Sequence, residues 1–169
     1  MKNHDKMADG LLPGRPSELI RFALNDLKAC EEDPSYEVGM GSWHSPRLRH
    51  RLAHVTDAEP TPHMECKVCL AGSVMAKTLK IPLRRYVSSP NSMDDREHLS
   101  ITDTQTRQRL WALDRFRTGN ISSALNELRL TPSPGIEDTW EISRYVGRSS
   151  EGFFQSMNDM ADHLERHGF

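Results

Sequence analysis

Two cysteines stand three residues apart, Cys66-Lys67-Val68-Cys69, at the head of the segment CKVCLAGSVMAKTL. That spacing serves redox dithiols and one half of a zinc site. At a helix start, the dipole would depress a thiol pKa. A redox dithiol of this type belongs to a βαβ context, which the sequence does not offer. Zinc needs further ligands, and no second C-x-x-C exists. His63 stands three residues before Cys66, while His44 and His54 follow no standard ligand spacing. A chain with 8 histidines produces such neighbours by chance. Free cysteines pack as small hydrophobes. Both thiols are therefore expected to be structural, with no cofactor; a zinc site on His63, Cys66 and Cys69 is the alternative.

A second cluster is basic and aromatic. Trp43 and His44 precede Arg47, Arg49, His50 and Arg51. Arginine beside an aromatic binds phosphates, stacked bases or acidic protein surfaces. Trp43, His44, Arg47, Arg49 and Arg51 are accordingly the predicted partner contacts, although a solvated face would have the same composition. Cys69 with Leu-Ala-Gly-Ser-Val-Met-Ala resembles the papain-like cysteine proteases, where a Cys opens a buried helix. It departs from their signature at Lys67, in place of glycine, and at Leu70, in place of an aromatic. Residues 104–130 share the helix–glycine turn–helix outline of DNA-binding units. The position four before Gly119 is Arg115 instead of a small residue, and Asn120 replaces an aliphatic one, so an ordinary αα-hairpin is expected. No phosphate-loop, dinucleotide, zinc-protease or nucleophile-elbow motif occurs. The acidic clusters Glu31-Glu32-Asp33 and Asp94-Asp95 read as solvated.

These residues must be positioned by a chain of 169 residues with 36% hydrophobic and 27% charged content and a net charge of -2. That length favours one domain. The charge argues against general affinity for nucleic acid or anionic membrane. No apolar run reaches the ~18 residues of a membrane span. The N-terminal stretch lacks the apolar core of a secretory signal. With 3 cysteines, reduced thiols in the cytoplasm are expected.

Residues 1–14 read as a weakly ordered tail and 15–169 as a single helical domain. Ile20, Ala23, Leu24 and Leu27 predict a helix over 16–31, ended by Pro34. The stretch 46–55 reads as a short basic helix. Residues 66–79, apolar on nearly every face, predict a buried central helix. Residues 80–87 and 140–146 read as short strands that could pair in a two-stranded ribbon. Helices are predicted over about 103–118 and 121–128, with Gly119 as a stop and Asn120 as an N-cap. A last helix carries Phe153, Met157, Met160, Ala161 and Leu164 behind a Ser149 cap. The fold class expected is mainly α, about five helices packed around 66–79.

The combination of Trp43-His44, CKVCLAGSVMAKTL and RLWALDRFRTGNISSAL resembles a pattern found in small bacteriophage and prophage proteins. It spans roughly residues 40–128. What the resemblance implies is a context, an accessory protein of the host cytoplasm that binds and blocks a host defence or immune protein. It carries no catalytic residue across. The functional expectation is a non-enzymatic protein-binding inhibitor. The alternatives are a nucleic-acid-binding regulator using residues 47–51 and 107–117, and a small zinc or thiol protein using Cys66 and Cys69.

Overall fold

The computed structural model of the chain describes residues 12–50, 62–90, 103–145 and 150–169. Residues 1–11, with most of the predicted tail, lie outside these, as do Arg51 and Ser149; the N-cap of the last helix is Ser150, one residue after the predicted cap, and its side chain makes no capping hydrogen bond. In chain order the elements are α1 (Pro16–Glu32), β1 (Tyr36–Val38), β2 (His44–His50), β3 (Pro62–Val68), α2 (Leu70–Lys77), α3 (Thr104–Arg117), α4 (Ile121–Glu127) and α5 (Glu151–Arg166). The described fold is thus mainly helical, five helices with a small mixed sheet.

Helix α1 follows its apolar spacing. Pro16 opens it, where the missing N–H costs nothing. Leu19, Ile20, Ala23, Leu24 and Leu27 are buried along one face. Asp33 leaves the helical conformation before Pro34. Leu12, assigned to the tail by sequence, is 2% exposed and belongs to the core. Near the other end of the chain, α5 lays Phe153, Met157, Met160, Ala161 and Leu164 into the same core. Arg21 of α1 ties the pair together through Asp162 and Glu165, at 2.6 and 2.8 Å.

The basic stretch after Trp43 is not a helix: residues 44–50 form β2. The sheet order is β1-β3-β2, with β1 parallel and β2 antiparallel to β3. Alternation explains the outcome. Cys66 and Val68 are fully buried, while Glu65 and Lys67 between and before them are only partly covered. Pro46 is tolerated because β2 is an edge strand. It lies opposite Cys66, whose N–H turns the other way to bond the O of Ser35, the residue before β1, at 2.8 Å.

The predicted helix at 66–79 is also corrected. Residues 66–68 end β3, Cys69 is the extended N-cap, and α2 covers only Leu70–Lys77. Cys69 Sγ accepts the Gly72 N–H at 3.5 Å. Residues 70–76 are all buried, and α2 touches α1, α3, β2 and β3. Lys80 then takes a left-handed conformation at φ 58°. Ile81 N–H reaches back to Met75 O at 3.0 Å, so the chain turns instead of continuing as helix.

The ribbon predicted from 80–87 and 140–146 does not form among the described residues. Val87 makes one isolated bridge with His44, and Thr139 one with Asn120. Pro82 removes one donor, and the chain turns there, Arg85 N–H bonding Pro82 O at 2.8 Å. The α3–α4 hairpin is as expected. Asp103 caps α3 through Thr106 N–H, Asn120 caps α4 through Ser123 N–H, and Gly119 makes the turn at φ 78°. A Cβ on Gly119 would stand 2.0 Å from Trp140 O, so the turn glycine also admits the crossing strand of chain.

Candidate functional site

Trp43 reaches its position through backbone packing. Its carbonyl oxygen lies against Gly72 in α2, where a Cβ would be 1.4 Å away. With the main chain pressed onto that helix, the indole extends to Trp111 of α3, ring centroids 5.0 Å apart and edge-to-face. Arg115, one turn further along α3, holds its guanidinium over the Trp111 ring at 5.8 Å. Its Nε stands 3.8 Å from the Glu127 carboxylate. All three side chains are half-buried. Edge-to-face tryptophans gain ~0.5–1.5 kcal/mol beyond their buried area, and the guanidinium adds a cation–π contact. The arrangement is a half-buried aromatic pair flanked by an Arg115–Glu127 ion pair.

The other predicted contacts separate from Trp43. His44 is fully buried; its Nδ1 donates to Arg85 O at 2.6 Å, so Nδ1 carries the proton. Burial pushes its pKa below the usual histidine value. His44 is therefore an internal residue and not a contact in this conformation. Arg47 lies on the sheet between Glu37 and Glu65, forming ion pairs with both. Arg49 pairs in register with His63. Arg51 lies outside the described residues. Trp111 and Arg115 were not singled out as contacts by the sequence. Their i, i+4 spacing on α3 was visible, but their approach to Trp43 joins distant stretches of chain.

Compared with known protein families, curated proteins and solved structures, the chain matches none.

The thiols are enclosed. Cys30 and Cys66 share a small apolar cluster with Val68 and Ala76, whereas Cys69 belongs to the main core. Burial raises Cys30 and Cys69 to about 11 and Cys66 to about 12. Cys69, and not Cys66, occupies the helix start, but the desolvation outweighs the Gly72 N–H that favours its thiolate. His63, Cys66 and Cys69 do not converge: among the described residues no three His, Cys, Asp or Glu side chains are grouped to hold a metal ion. Nor, among the described residues, is any helix long and apolar enough to cross a membrane.

A cleft of about 490 Å³ opens beside the end of α3. Arg117 and Thr118 form one wall, Met40 another, and the 142–145 stretch with Phe153 of α5 closes it. Thr118 falls at i+7 from Trp111 and i+3 from Arg115, on one helical face.

Proposed function

We propose that this chain is a non-enzymatic protein-binding module whose contact centres on Trp43, Trp111 and Arg115. The observation that carries the reading is the half-exposed Trp43–Trp111 pair with Arg115 stacked on it. Tryptophan and arginine are the side chains most enriched in interface hot spots. An aromatic pair already held in place loses little rotamer freedom on binding. In this reading α2 is the hub of the helical packing, because it seats the Trp43 backbone. The resemblance to phage proteins directs the choice of partner toward a host defence or regulatory protein, with this chain as its inhibitor.

The α3 arginines favour a protein over a nucleic-acid partner. Arg117 pairs with Asp114 at 2.7 Å, Arg115 with Glu127, and burial lowers the Arg109 pKa. An extended phosphate backbone would need these cations together, whereas a protein contact at the Trp111 ring needs Arg115 alone.

The test is affinity capture from host lysate with the wild type, Arg115→Glu and Trp111→Ala side by side. A partner held by the wild type should be lost at least tenfold by folded Arg115→Glu, about 1.4 kcal/mol. Equal capture by all three would remove the patch from the reading. Copurified nucleic acid that depends on Arg115 would replace protein with nucleic acid as the partner.

A further inference from the structure

We propose that the cleft beside α3 is a binding site for a small organic phosphate, a phosphate monoester with an aromatic or aliphatic body. The inference is independent of the protein contact proposed above. At about 490 Å³ the cleft has the size of a small-ligand site. It is two-sided in chemistry. Met40, Ile142 and Phe153 provide an apolar wall, Arg117 and Arg144 provide two cations, and there is no carboxylate among the described lining residues.

The cations are prepared differently. Asp114 stands behind Arg117 and takes its Nε–H and Nη2–H at 3.1 and 2.7 Å, fixing the guanidinium at the wall. That side-on edge is committed, so Arg117 faces the cleft with its remaining N–H groups instead of the fork a planar carboxylate prefers. Arg144 is exposed and forms no ion pair among the described residues. Thr118 and Tyr145 each spend their single hydroxyl proton elsewhere. Thr118 donates to Arg115 O at 2.9 Å, and Tyr145 donates to Glu31. The available donors are therefore Arg117 at the end of α3 and, on the 142–145 stretch, Arg144 and the Ser143 hydroxyl. Two cations at one cleft suit the roughly double negative charge of a phosphate monoester better than the single charge of a carboxylate. Phe153 belongs to the first turn of α5, whose positive end adds to the field, opposed in part by Glu151. The apolar wall calls for a hydrophobic body on the same molecule, since a pocket of this type gains affinity from buried apolar surface.

Calorimetric titration of the full chain with 1-naphthyl phosphate, 1-naphthol and inorganic phosphate separates the two parts. The expected result is one site that takes 1-naphthyl phosphate at least tenfold more tightly than either fragment. Amide shift changes should be confined to residues 117–118, 142–145 and 153. Arg144→Glu should weaken binding at least tenfold with an unchanged melting temperature, and Arg144→Lys should retain most of it. Equal affinity for 1-naphthol would overturn the anion half of the proposal. Equal affinity for inorganic phosphate would overturn the apolar half. An unaffected Arg144→Glu, or no saturable heat at all, would remove the site.

Discussion

His163 sits on α5 at 8% exposure, and the backbone N–H of Glu137 donates to its Nε2 at 3.1 Å. Its ring proton must then be on Nδ1, and the ring must be neutral. Trp140 packs against one side at 4.9 Å and His167 against another at 4.5 Å. Burial depresses its pKa; His167 and Arg166 add to the depression, and Glu137 opposes it. Protonation would expel the Glu137 N–H that holds the 131–140 loop to the helix. The unfolded ring takes its proton near pH 6.5, above the folded one. As pH falls through 6.5 the unfolded state therefore binds more protons. The contribution of His163 to stability is complete above that pH and declines down to the folded pKa. Ring-nitrogen NMR should place the His163 midpoint below 6.5, and exchange at the Glu137 amide should accelerate with the same midpoint. A midpoint at or above 6.5, or an indifferent Glu137 amide, would show that the ring is not held this way.

At the scale of elements, the decisive contact is between the β1–β2 loop and α2. Gly72 lets the Trp43 carbonyl approach where any side chain would collide. Gly72→Ala must displace backbone, not a flexible side-chain end, and should destabilise by about 3 kcal/mol or more. Gly41→Ala, in the same loop but with nothing within 4 Å of a new Cβ, is its control. Gly41→Ala should change stability by less than about 1 kcal/mol. Chemical denaturation of the two variants measures both. Comparable stability for the two would mean that the Trp43 backbone can shift without loss, and the Trp43–Trp111 stack would no longer be rigidly seated.

At the scale of the whole molecule, the three cysteines report how the core opens. They lie in two apolar clusters, and all are protonated and enclosed at pH 8. A thiol reagent can reach them only through opening of the structure. Helix α1 contributes to both clusters, Cys30 to the smaller and Leu19 to Leu27 to the larger. The clusters are therefore expected to open together. Labelling followed by mass spectrometry should give Cys30, Cys66 and Cys69 one common opening free energy equal to that of global unfolding. Faster labelling of Cys30 and Cys66 than of Cys69 would reveal that the sheet end opens separately.

Local signals were enough for α1, α3, α4 and α5, because each combines apolar residues at helical spacing with a cap, proline or glycine at its ends. Asn120 as N-cap and Gly119 as a positive-φ stop are properties of a few adjacent residues, and they were legible. The sheet was not. Alternation in 44–50 and 62–68 is written in histidine, proline, methionine and cysteine, which carry weak strand signals, and the strands become stable only by pairing across sequence. The apolar run after Cys66 looked like one helix because a buried strand end and a buried helix are both apolar; pairing with β1 and β2 decided where one ended. The candidate site divides the same way. Trp43 is conspicuous in sequence, but burial of His44, neutralisation of Arg47 by Glu37 and Glu65, and the meeting of Trp43 with Trp111 and Arg115 depend on contacts between distant stretches. Neighbours along the chain set helix ends; which side chains remain available for binding is set by neighbours in space.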